Sequence, residues 1–424
     1  MAEKWTFSNK DRLRPNKKLP DPLVGPDGKR ITSPAQWPAQ REYLKAMLEH
    51  YLYGHTPPGP YYARGKTVSR KSIFDGRAIQ EIVAITCGPD GQIYFEAKVI
   101  RPNRPGKCPV FVWNNMDWPM GIVGGTAEDR LRDSPATEEA ITRGYAIVAY
   151  RKDMLTPLLV GDTRKGVTGS QCGKFYPDYD WRAIAMWGWG SGRVIDYLET
   201  TDWADIGKLI ATGCSHMGKS ALYAAIFDER FAVCAADCSG NGGAGNYRFL
   251  GGRMGRGIGH AETIADITDK NGLWYWFSDN LAEFAKRGNQ YDVGDEAYLP
   301  FDTHFLRALI APRAVISMDG LDDVWCGAFG TQISWHAAQP VFKFLGAEGS
   351  NAIFFREGGH DFTKQDWSAA IDFCDKLFYG IERPHTFADK IVHVYYPKWY
   401  PVEKRGVKPQ KIDFSPYFDY EYDD

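Results

Sequence analysis

The chain has 424 residues, of which 44% are hydrophobic and 25% are charged, as in ordinary soluble globular proteins. A net charge of −2 argues against general binding to nucleic acid or to anionic membranes, and no apolar run is long enough to span a bilayer. The length suits one large α/β domain with decorations, or two domains. The 14 Trp, 23 Tyr and 23 Phe serve core packing by default and also suit clefts in which rings stack on sugars.

The sequence of the first 100 residues predicts an arm, a helix and a hairpin. Residues 1–34 are rich in Lys, Pro and Asp and predict an extended arm. Apolar residues recur at helical spacing over 36–53, and Gly54 ends that helix. Two strand-like runs within 66–100 flank the turn Gly88-Pro-Asp-Gly, so the sheet is expected to open with antiparallel strands.

From residue 109 onward, strands and helices alternate. Strands are predicted at 109–113, 145–150, 231–236, 314–317 and 352–355, and a further strand runs into a sharp turn within 208–220. Helices are predicted at 137–143, 181–198, 303–311, 330–345 and 366–378, with helical patterns through 260–286 and long loops at 114–135 and 152–180. This alternation predicts an α/β fold with a mostly parallel central sheet and helices on both faces, a three-layer sandwich. We expect the catalytic domain to cover 35–383, and an extended, aromatic-rich segment at 384–424 to pack on it.

A candidate nucleophile lies in the stretch Gly213-Cys-Ser-His-Met-Gly-Lys-Ser-Ala221. Apolar residues lead into it and helix formers follow it, which is the strand–turn–helix pattern of a nucleophile elbow in an α/β-hydrolase fold. Small residues at Gly213 and Gly218 allow the sharp reversal and close packing of helix on strand. Taken alone, the motif fits an ordinary helix N-cap equally well, so the rest of the chain has to decide.

A serine nucleophile needs a base and an acid, which in this fold follow it in the order acid, then histidine. Among the nine histidines, His360 stands directly after the last predicted strand, in Arg356-Glu-Gly-Gly-His-Asp-Phe. After the preceding strand, Asp319, Asp322 and Asp323 compete for the acid. Asp323 lies deepest in that loop, two residues before Trp325, and is preferred, with Asp322 second.

Two further features bear on the site: candidate donors to the oxyanion, and a glycine run that resembles a nucleotide-binding motif. The backbone N–H of His216 and one near Asn114 or Asn115 are expected to hold the oxyanion. The run from Gly240 to Gly245 matches a dinucleotide fingerprint, but no helix pattern opens at its end, so nucleotide binding is not expected. Neither a cofactor nor a catalytic metal is expected, because the chain lacks His-Glu-x-x-His and EF-hand motifs.

Taken together, several blocks resemble the glucuronoyl esterases of carbohydrate esterase family 15 and bacterial relatives described as acetylxylan esterases. The elbow resembles that family's Gly-x-Ser-Arg-x-Gly-Lys. Further blocks resemble the family in order over roughly residues 50–380: Trp181-Arg-Ala-Ile-Ala-Met-Trp-Gly-Trp-Gly, Ser239-Gly-Asn-Gly-Gly-Ala with Arg248, Glu262, Trp276-Phe, His304-Phe-Leu-Arg-Ala-Leu-Ile-Ala-Pro-Arg, and the histidine block with Asp366-Trp367.

The resemblance implies Ser215 as nucleophile, His360 as base and Asp323 as acid, the last in the Asp-x-Trp context of many bacterial members. The glutamate that serves as acid in fungal members is missing, since its place falls at about Cys238.

The resemblance also implies that Lys219, Glu262, Trp325 and Arg248 contact the sugar. One departure is His216, which stands where the family has an arginine whose charge helps to stabilise the oxyanion, and a neutral imidazole supplies less charge.

These patterns predict a serine carboxylesterase acting on a carbohydrate ester, most simply a (4-O-methyl-)glucuronoyl ester of plant cell-wall polysaccharide. The alternatives are an acetyl or uronate methyl esterase, and a carbohydrate-binding pseudoenzyme with a degraded site. The eight cysteines form no Cys-x-x-Cys pair. We expect a monomer. Its N-terminus has no signal peptide pattern, so the protein is cytoplasmic or has lost a leader, and the resemblance favours secretion or the periplasm.

Overall fold

The computed structural model describes residues 5–59, 62–114, 135–157, 169–249, 261–268, 276–286, 294–388 and Tyr417. Its strands are β1 Ala63–Ile73, β2 Ala78–Cys87, β3 Ile93–Pro102, β4 Cys108–Trp113, β5 Ala146–Tyr150, β6 Ala204–Cys214, β7 Phe231–Asp237, β8 Ala314–Gly320 and β9 Asn351–Arg356. Its α-helices are α1 Trp37–Leu48, α2 Pro135–Thr142, α3 Gln171–Phe175, α4 Ala183–Leu198, α5 His216–Phe227, α6 Ile264–Ile267, α7 Asp279–Ala282, α8 His304–Ile310, α9 Ala328–Phe344 and α10 Lys364–Tyr379.

The nine strands form one sheet in the order β1-β2-β3-β5-β4-β6-β7-β8-β9. The first three strands and the β3–β5 pair are antiparallel, and every pair from β5 to β9 is parallel. The predicted antiparallel opening and parallel centre are therefore confirmed. Because parallel strands end at the same edge, the loops after β6, β8 and β9 are gathered at one side of the sheet.

Strand residues alternate between two buried layers, as the twofold period of a strand requires. Phe111, Ile147 and Ile210 face the layer that holds Trp367 of α10. Residues on the other face pack against α1, α4 and α5. The sheet is thus covered by helices on both sides, which is the predicted three-layer arrangement.

Helix α4 approaches α5 closely through a glycine. A Cβ placed on Gly188 would lie 2.4 Å from the Tyr223 ring and 2.8 Å from the carbonyl oxygen of Ser220. Gly188, in the Trp-Gly-Trp-Gly run, therefore has a packing role. It allows α4 to lie close to α5, the helix that begins at the elbow.

Three sequence predictions differ from the structure. The helical pattern over 260–286 yields two single-turn helices, α6 and α7, while 269–275 lies outside the described residues. The loop predicted at 152–180 contains the short helix α3. The sequence predicts two strands within 66–100, whereas the structure has a third, β1. Its exposed, charged sequence lacks the apolar alternation that would have indicated a strand.

The domain boundaries stay predictions. The arm contacts the domain where Asn16 N donates to Ala297 O at 2.7 Å. Most of 384–424 lies outside the described residues, although Leu19 N donates to Tyr417 O at 2.8 Å. No helix in the described ranges combines the length and apolar character needed to cross a bilayer.

Candidate active site

Ser215 lies at the reversal between β6 and α5, with backbone angles of φ 60° and ψ −131°. A positive φ is uncommon for a residue with a side chain and marks backbone strain that the surroundings must support. Ser215 N donates to Asp237 O at 2.9 Å, while Ser215 O accepts from Gly218 N at 2.9 Å and Lys219 N at 3.1 Å. The turn is therefore held from both the sheet and the helix, with Ser215 at the N-terminus of α5.

The two elbow glycines are required by close backbone contacts. A Cβ on Gly213 would lie 2.5 Å from the carbonyl carbon and oxygen of Met217, and 2.9 Å from Asn114 Oδ1. A Cβ on Gly218 would lie 3.0 Å from the backbone oxygens of Asp237 and Gly213, and 2.9 Å from Ser239 Cβ. Asn114 also donates from Nδ2 to Met217 O at 3.2 Å, so the end of β4 braces the first turn of α5. Asn115, the other residue predicted near the oxyanion, lies outside the described residues.

His360 and Asp323 are in direct contact. His360 Nδ1 lies 2.7 Å from Asp323 Oδ2, and Asp323 Oδ1 accepts from Cys326 N at 3.1 Å. The Asp323 side chain is 2% exposed and that of His360 is 28% exposed, so the carboxylate is buried while the ring reaches the surface. A buried carboxylate that fixes one ring nitrogen leaves the other nitrogen available for proton transfer, as a base–orienter pair requires.

The two competing aspartates have other partners. Asp322 Oδ2 accepts from Gly358 N at 3.3 Å, which braces the loop before His360. Asp319 is fully buried, and burial raises the pKa of its carboxyl well above its ordinary value, which favours a neutral acid. Asp323 is thus the aspartate of the three that bonds to the His360 ring in the described structure.

Electrostatics couple this pair to Cys238. Burial alone lowers the pKa of His360, but hydrogen bonds and charges from Asp323 and Cys238 outweigh burial and raise it to about 10. Burial likewise raises the pKa of Asp323, but the hydrogen bond and charge of His360 outweigh it, so the pKa lies below its usual value. The neutral ring needed to accept a proton is therefore favoured by alkaline conditions.

Three cysteines form a thiol cluster beside the pair, comprising Cys214, Cys238 and Cys326. Cys326 Sγ lies 3.4 Å from His360 Nδ1 and donates to Cys238 O at 2.7 Å. A hydrogen bond from Cys214, despite burial, lowers the pKa of Cys238 to about 6, and a bond to His360 contributes. Because Cys214 precedes Ser215 directly, the cluster connects the elbow to the His360 loop.

Arg356, which sequence reasoning left without a role, holds the His360 loop in place. Its Nε bonds to Asp366 Oδ2 at 2.6 Å, and its Nη1 donates to Gly359 O at 3.2 Å. Its Nη2 donates to Asp361 O. The guanidinium thus joins the end of β9, both neighbours of His360 and the start of α10. The available signal was the position of Arg356 at the head of the histidine block.

The His216 side chain is buried between two tryptophans, with ring centroids 5.4 Å from Trp187 and 5.2 Å from Trp276. Burial lowers its pKa well below the ordinary value, and the charges of Lys152, Lys219 and His360 lower it further. The imidazole is therefore neutral at pH 7 and brings no positive charge to the elbow. Its backbone N–H, directly after Ser215, remains the candidate oxyanion donor.

The predicted sugar-binding residues Lys219 and Glu262 form a buried ion pair. Lys219 Nζ bonds to Glu262 Oε2 at 2.5 Å, with side chains 1% and 2% exposed. Lys219 also donates to Ser239 O at 2.7 Å and Asn241 O at 2.6 Å. Trp325, half-buried against the thiol cluster, accepts from Glu262 N through its carbonyl at 2.9 Å. These three residues thus form one connected wall beside the elbow helix.

Arg248 occupies a different environment. Its side chain is 0% exposed and pairs with Asp302 at 2.9 Å. It also donates to Leu299 O at 2.6 Å, Phe301 O at 3.0 Å and Asn16 O at 3.1 Å. Since these bonds use its donors within the protein, its position suits a structural role, and the sugar contact of Arg248 stays a prediction.

Comparison with known proteins matches this architecture to esterases. A family model described as glucuronyl esterase, fungi, matches residues 133–346. Carbohydrate esterase MZ0003, from an unknown prokaryotic organism, is 30% identical over 428 residues, covering 89% of this chain and 94% of that protein.

A fungal protein and a solved structure extend the comparison. The 4-O-methyl-glucuronoyl methylesterase of Phanerochaete carnosa is 29% identical over 379 residues, covering 87% of this chain and 83% of that protein. The carbohydrate esterase family 15 glucuronoyl esterase of Caldicellulosiruptor kristjansonii has a TM-score of 0.70 at 25% identity, covering 92% of this chain and 98% of that one. With the family model matching half of the sequence and the fold shared, the chain belongs to the glucuronoyl esterase family of carboxylic ester hydrolases, carbohydrate esterase family 15.

Proposed function

We propose that the protein is a serine carboxylesterase that cleaves a (4-O-methyl-)glucuronoyl ester of a plant cell-wall polysaccharide. The observation that carries the proposal is the 2.7 Å bond between His360 Nδ1 and Asp323 Oδ2 at the sheet edge where β6 delivers Ser215. Family membership supports the substrate class, since relatives are named for the glucuronoyl ester they hydrolyse. We further propose that the chain acts as a monomer.

The proposed mechanism proceeds in two acyl-transfer steps. Ser215 Oγ attacks the ester carbonyl while His360 Nε2 takes the hydroxyl proton, and Asp323 stabilises the resulting imidazolium. The backbone N–H of His216 stabilises the oxyanion, together with a donor near Asn114. The alcohol leaves with the proton from His360, and water then releases the uronic acid by the reverse sequence. Free Ser215 and a neutral His360 are restored.

For the sugar, we propose contacts with the wall formed by Lys219, Glu262 and Trp325. Lys219 is already bonded to Glu262 and to two carbonyl oxygens. A sugar hydroxyl would therefore join an ordered polar network instead of recruiting a mobile side chain, which reduces the entropy lost on binding. The Trp325 ring would provide an apolar face for the pyranose.

A second candidate is the hydrolysis of an acetyl ester or of a different uronate methyl ester. The neutral state of His216 motivates it, because this elbow lacks the positive charge that the family's arginine provides. Less positive charge stabilises the oxyanion less, which lowers the expected rate on the glucuronoyl ester and makes a different preferred ester the second candidate. It leaves the Ser215 chemistry unchanged.

A panel of methyl glucuronate, methyl galacturonate and acetylated xylan tests both candidates, with Ser215→Ala as the matched control. We expect the fastest turnover on the glucuronate ester and loss of turnover on every ester in Ser215→Ala. Preference for acetylated xylan or galacturonate selects the second candidate. Equal turnover by Ser215→Ala eliminates the serine mechanism. Sugar binding without turnover, and no labelling of Ser215 by a phosphonate, identifies a carbohydrate-binding pseudoenzyme.

A further inference from the structure

Three chemically different donor groups meet at the acid–base pair. Cys238 Sγ, one carboxylate oxygen of Asp323 and one ring nitrogen of His360 all lie within 4.8 Å of one another. We propose that these side chains bind a thiophilic divalent cation, Zn²⁺ in particular, and that the bound ion reversibly blocks the enzyme. The binding stands on the geometry, whereas the inhibition rests on the esterase function proposed above.

The donor set matches the preferences of zinc. Protein zinc sites use thiolate, imidazole and carboxylate ligands, and three protein ligands leave a fourth position for water. Thiolate coordination selects zinc and similar soft ions over Mg²⁺ and Ca²⁺. Cys238 therefore gives the site a selectivity that a second carboxylate in its place would lack.

The ligands are held by the ends of three adjacent strands. Cys238 follows β7 with a left-handed backbone of φ 39°, and its N donates to Met318 O of β8 at 2.7 Å. Asp323 and His360 follow β8 and β9. Tetrahedral zinc needs its nitrogen and oxygen ligands about 3.3 Å apart, given bond lengths of about 2.0–2.1 Å. The present 2.7 Å contact must therefore open by roughly half an ångström.

The surroundings allow that opening and balance the charge. Gly358, at φ 94°, and Gly359 precede His360, so the backbone can adjust there. Arg356 Nη2 lies 3.9 Å from Cys238 Sγ and would oppose a cation. Its charge is offset by Asp366, which Arg356 Nε contacts at 2.6 Å.

Coordination explains the loss of activity through the tautomer of His360. The ring faces Asp323 through Nδ1, so the metal binds there in place of the Nδ1 proton. A ring that starts neutral takes up a proton from solvent at Nε2 in exchange, and an imidazolium keeps the proton it already has there. A neutral imidazole carries one N–H, which must then lie on Nε2. Nε2 can no longer accept the Ser215 proton. Metal–nitrogen, metal–sulfur and metal–oxygen bonds form. Any Sγ–H proton is released to solvent; an imidazolium also releases its Nδ1 proton, whereas a neutral ring exchanges that proton for one at Nε2 with no net release.

Cd²⁺ tests the binding without reference to activity, because a cadmium–thiolate bond adds an ultraviolet charge-transfer band. The whole protein is titrated with CdCl₂, comparing the parent with Cys238→Ser and Cys234→Ala. Cys234 is a buried thiol on β7 itself and serves as the matched control. We expect one band per chain in the parent and in Cys234→Ala. We expect no band in Cys238→Ser, whose fold is checked by circular dichroism.

Zn²⁺ tests the inhibition on the same three proteins, each compared with its own metal-free rate. We expect inhibition that EDTA reverses, and about 100-fold weaker zinc affinity in Cys238→Ser, since even indirect support of a metal ligand is worth 10–100-fold. An equal cadmium band in Cys238→Ser, or none in the parent, overturns the site. Metal binding that leaves esterase turnover unchanged overturns the inhibition. If no ester is turned over at all, the cadmium titration still decides the metal site, and the proposed function alone fails.

Discussion

Asp323 and His360 meet across the ends of neighbouring strands β8 and β9, where the aspartate is buried and the ring is partly exposed. Asp323 Oδ1 is held by the backbone N–H of Cys326 at 3.1 Å, so the carboxylate has one orientation in which Oδ2 faces the ring. This contact makes the identity of the acid testable against an aspartate in the same loop.

Asp323→Asn is expected to lower kcat by about 10³- to 10⁴-fold, because an amide can donate to Nδ1 and favour the wrong tautomer. Asp322→Asn, which changes a neighbour bonded to Gly358 N, should stay within about threefold, because the amide oxygen of Asn can still accept that hydrogen bond. Steady-state kinetics on one ester compare the two. A large loss in Asp322→Asn with little change in Asp323→Asn would transfer the role of acid to Asp322.

Gly213→Ala is expected to abolish turnover, because its Cβ would lie 2.5 Å from the Met217 backbone and must displace the elbow. Gly207→Ala is the control on the same strand, since the nearest atom to its Cβ is Asp205 Oδ1 at 3.5 Å, an ordinary contact. Labelling of Ser215 by a phosphonate measures elbow geometry directly. Normal labelling of Gly213→Ala would show that the turn tolerates a side chain.

Removing one partner of the buried Lys219–Glu262 ion pair is expected to destabilise the fold strongly. Lys219→Met leaves a buried carboxylate without its cation, which is expected to cost about 3–5 kcal/mol in the free energy of unfolding. The double variant Lys219→Met/Glu262→Leu removes both charges and should recover part of that loss. Urea unfolding of the two variants provides the measurement. A double variant less stable than the single one would mean that the charges do not act as a pair.

His304 predicts a loss of stability in acid. Burial lowers its pKa from 6.5 to about 4, and its Nε2 lies 2.8 Å from Pro20 O. As the pH falls below 6.5 the unfolded chain binds a proton before the folded one does, so stability is lost progressively until about pH 4. The full loss from this group is about 3 kcal/mol, at 1.36 kcal/mol per pH unit.

His304→Gln keeps a donor for Pro20 O but cannot titrate. The free energy of unfolding is measured at intervals between pH 4 and 6.5 for both proteins. We expect a shallower pH dependence in His304→Gln. Parallel curves for the two proteins would assign the acid sensitivity to other groups.

The fold, and the placement of Ser215, Asp323 and His360 after β6, β8 and β9, could be predicted from the sequence for a physical reason, while the roles of these residues stay predictions. Buried parallel strands are short apolar runs, and catalytic side chains follow their carboxyl ends in a fixed chain order. Those features are local in the sequence. Strand β1 was missed because both of its faces are polar, so periodicity carried no signal.

The partners of buried polar groups were less predictable, since they depend on contacts distant in the chain. Lys219 and Glu262 were expected to face substrate, and their mutual bond joins residues 43 apart. The cluster of Cys214, Cys238 and Cys326 likewise joins residues that follow or end different strands. Spacing alone cannot show which donor turns toward which acceptor.

The two edges of the sheet differ in how they face other molecules. Edge strand β1 is exposed along most of its length, carries cations at Arg64, Lys66, Arg70 and Lys71, and shifts register between Thr67 and Ser69. At the opposite edge, Ile353 N of β9 donates to Phe387 O at 2.8 Å, so one position there is already paired within the chain. Like charges and irregular pairing at an edge discourage strand addition from another molecule. One border of this open sheet is therefore protected by electrostatic repulsion, and part of the other is occupied by the chain itself.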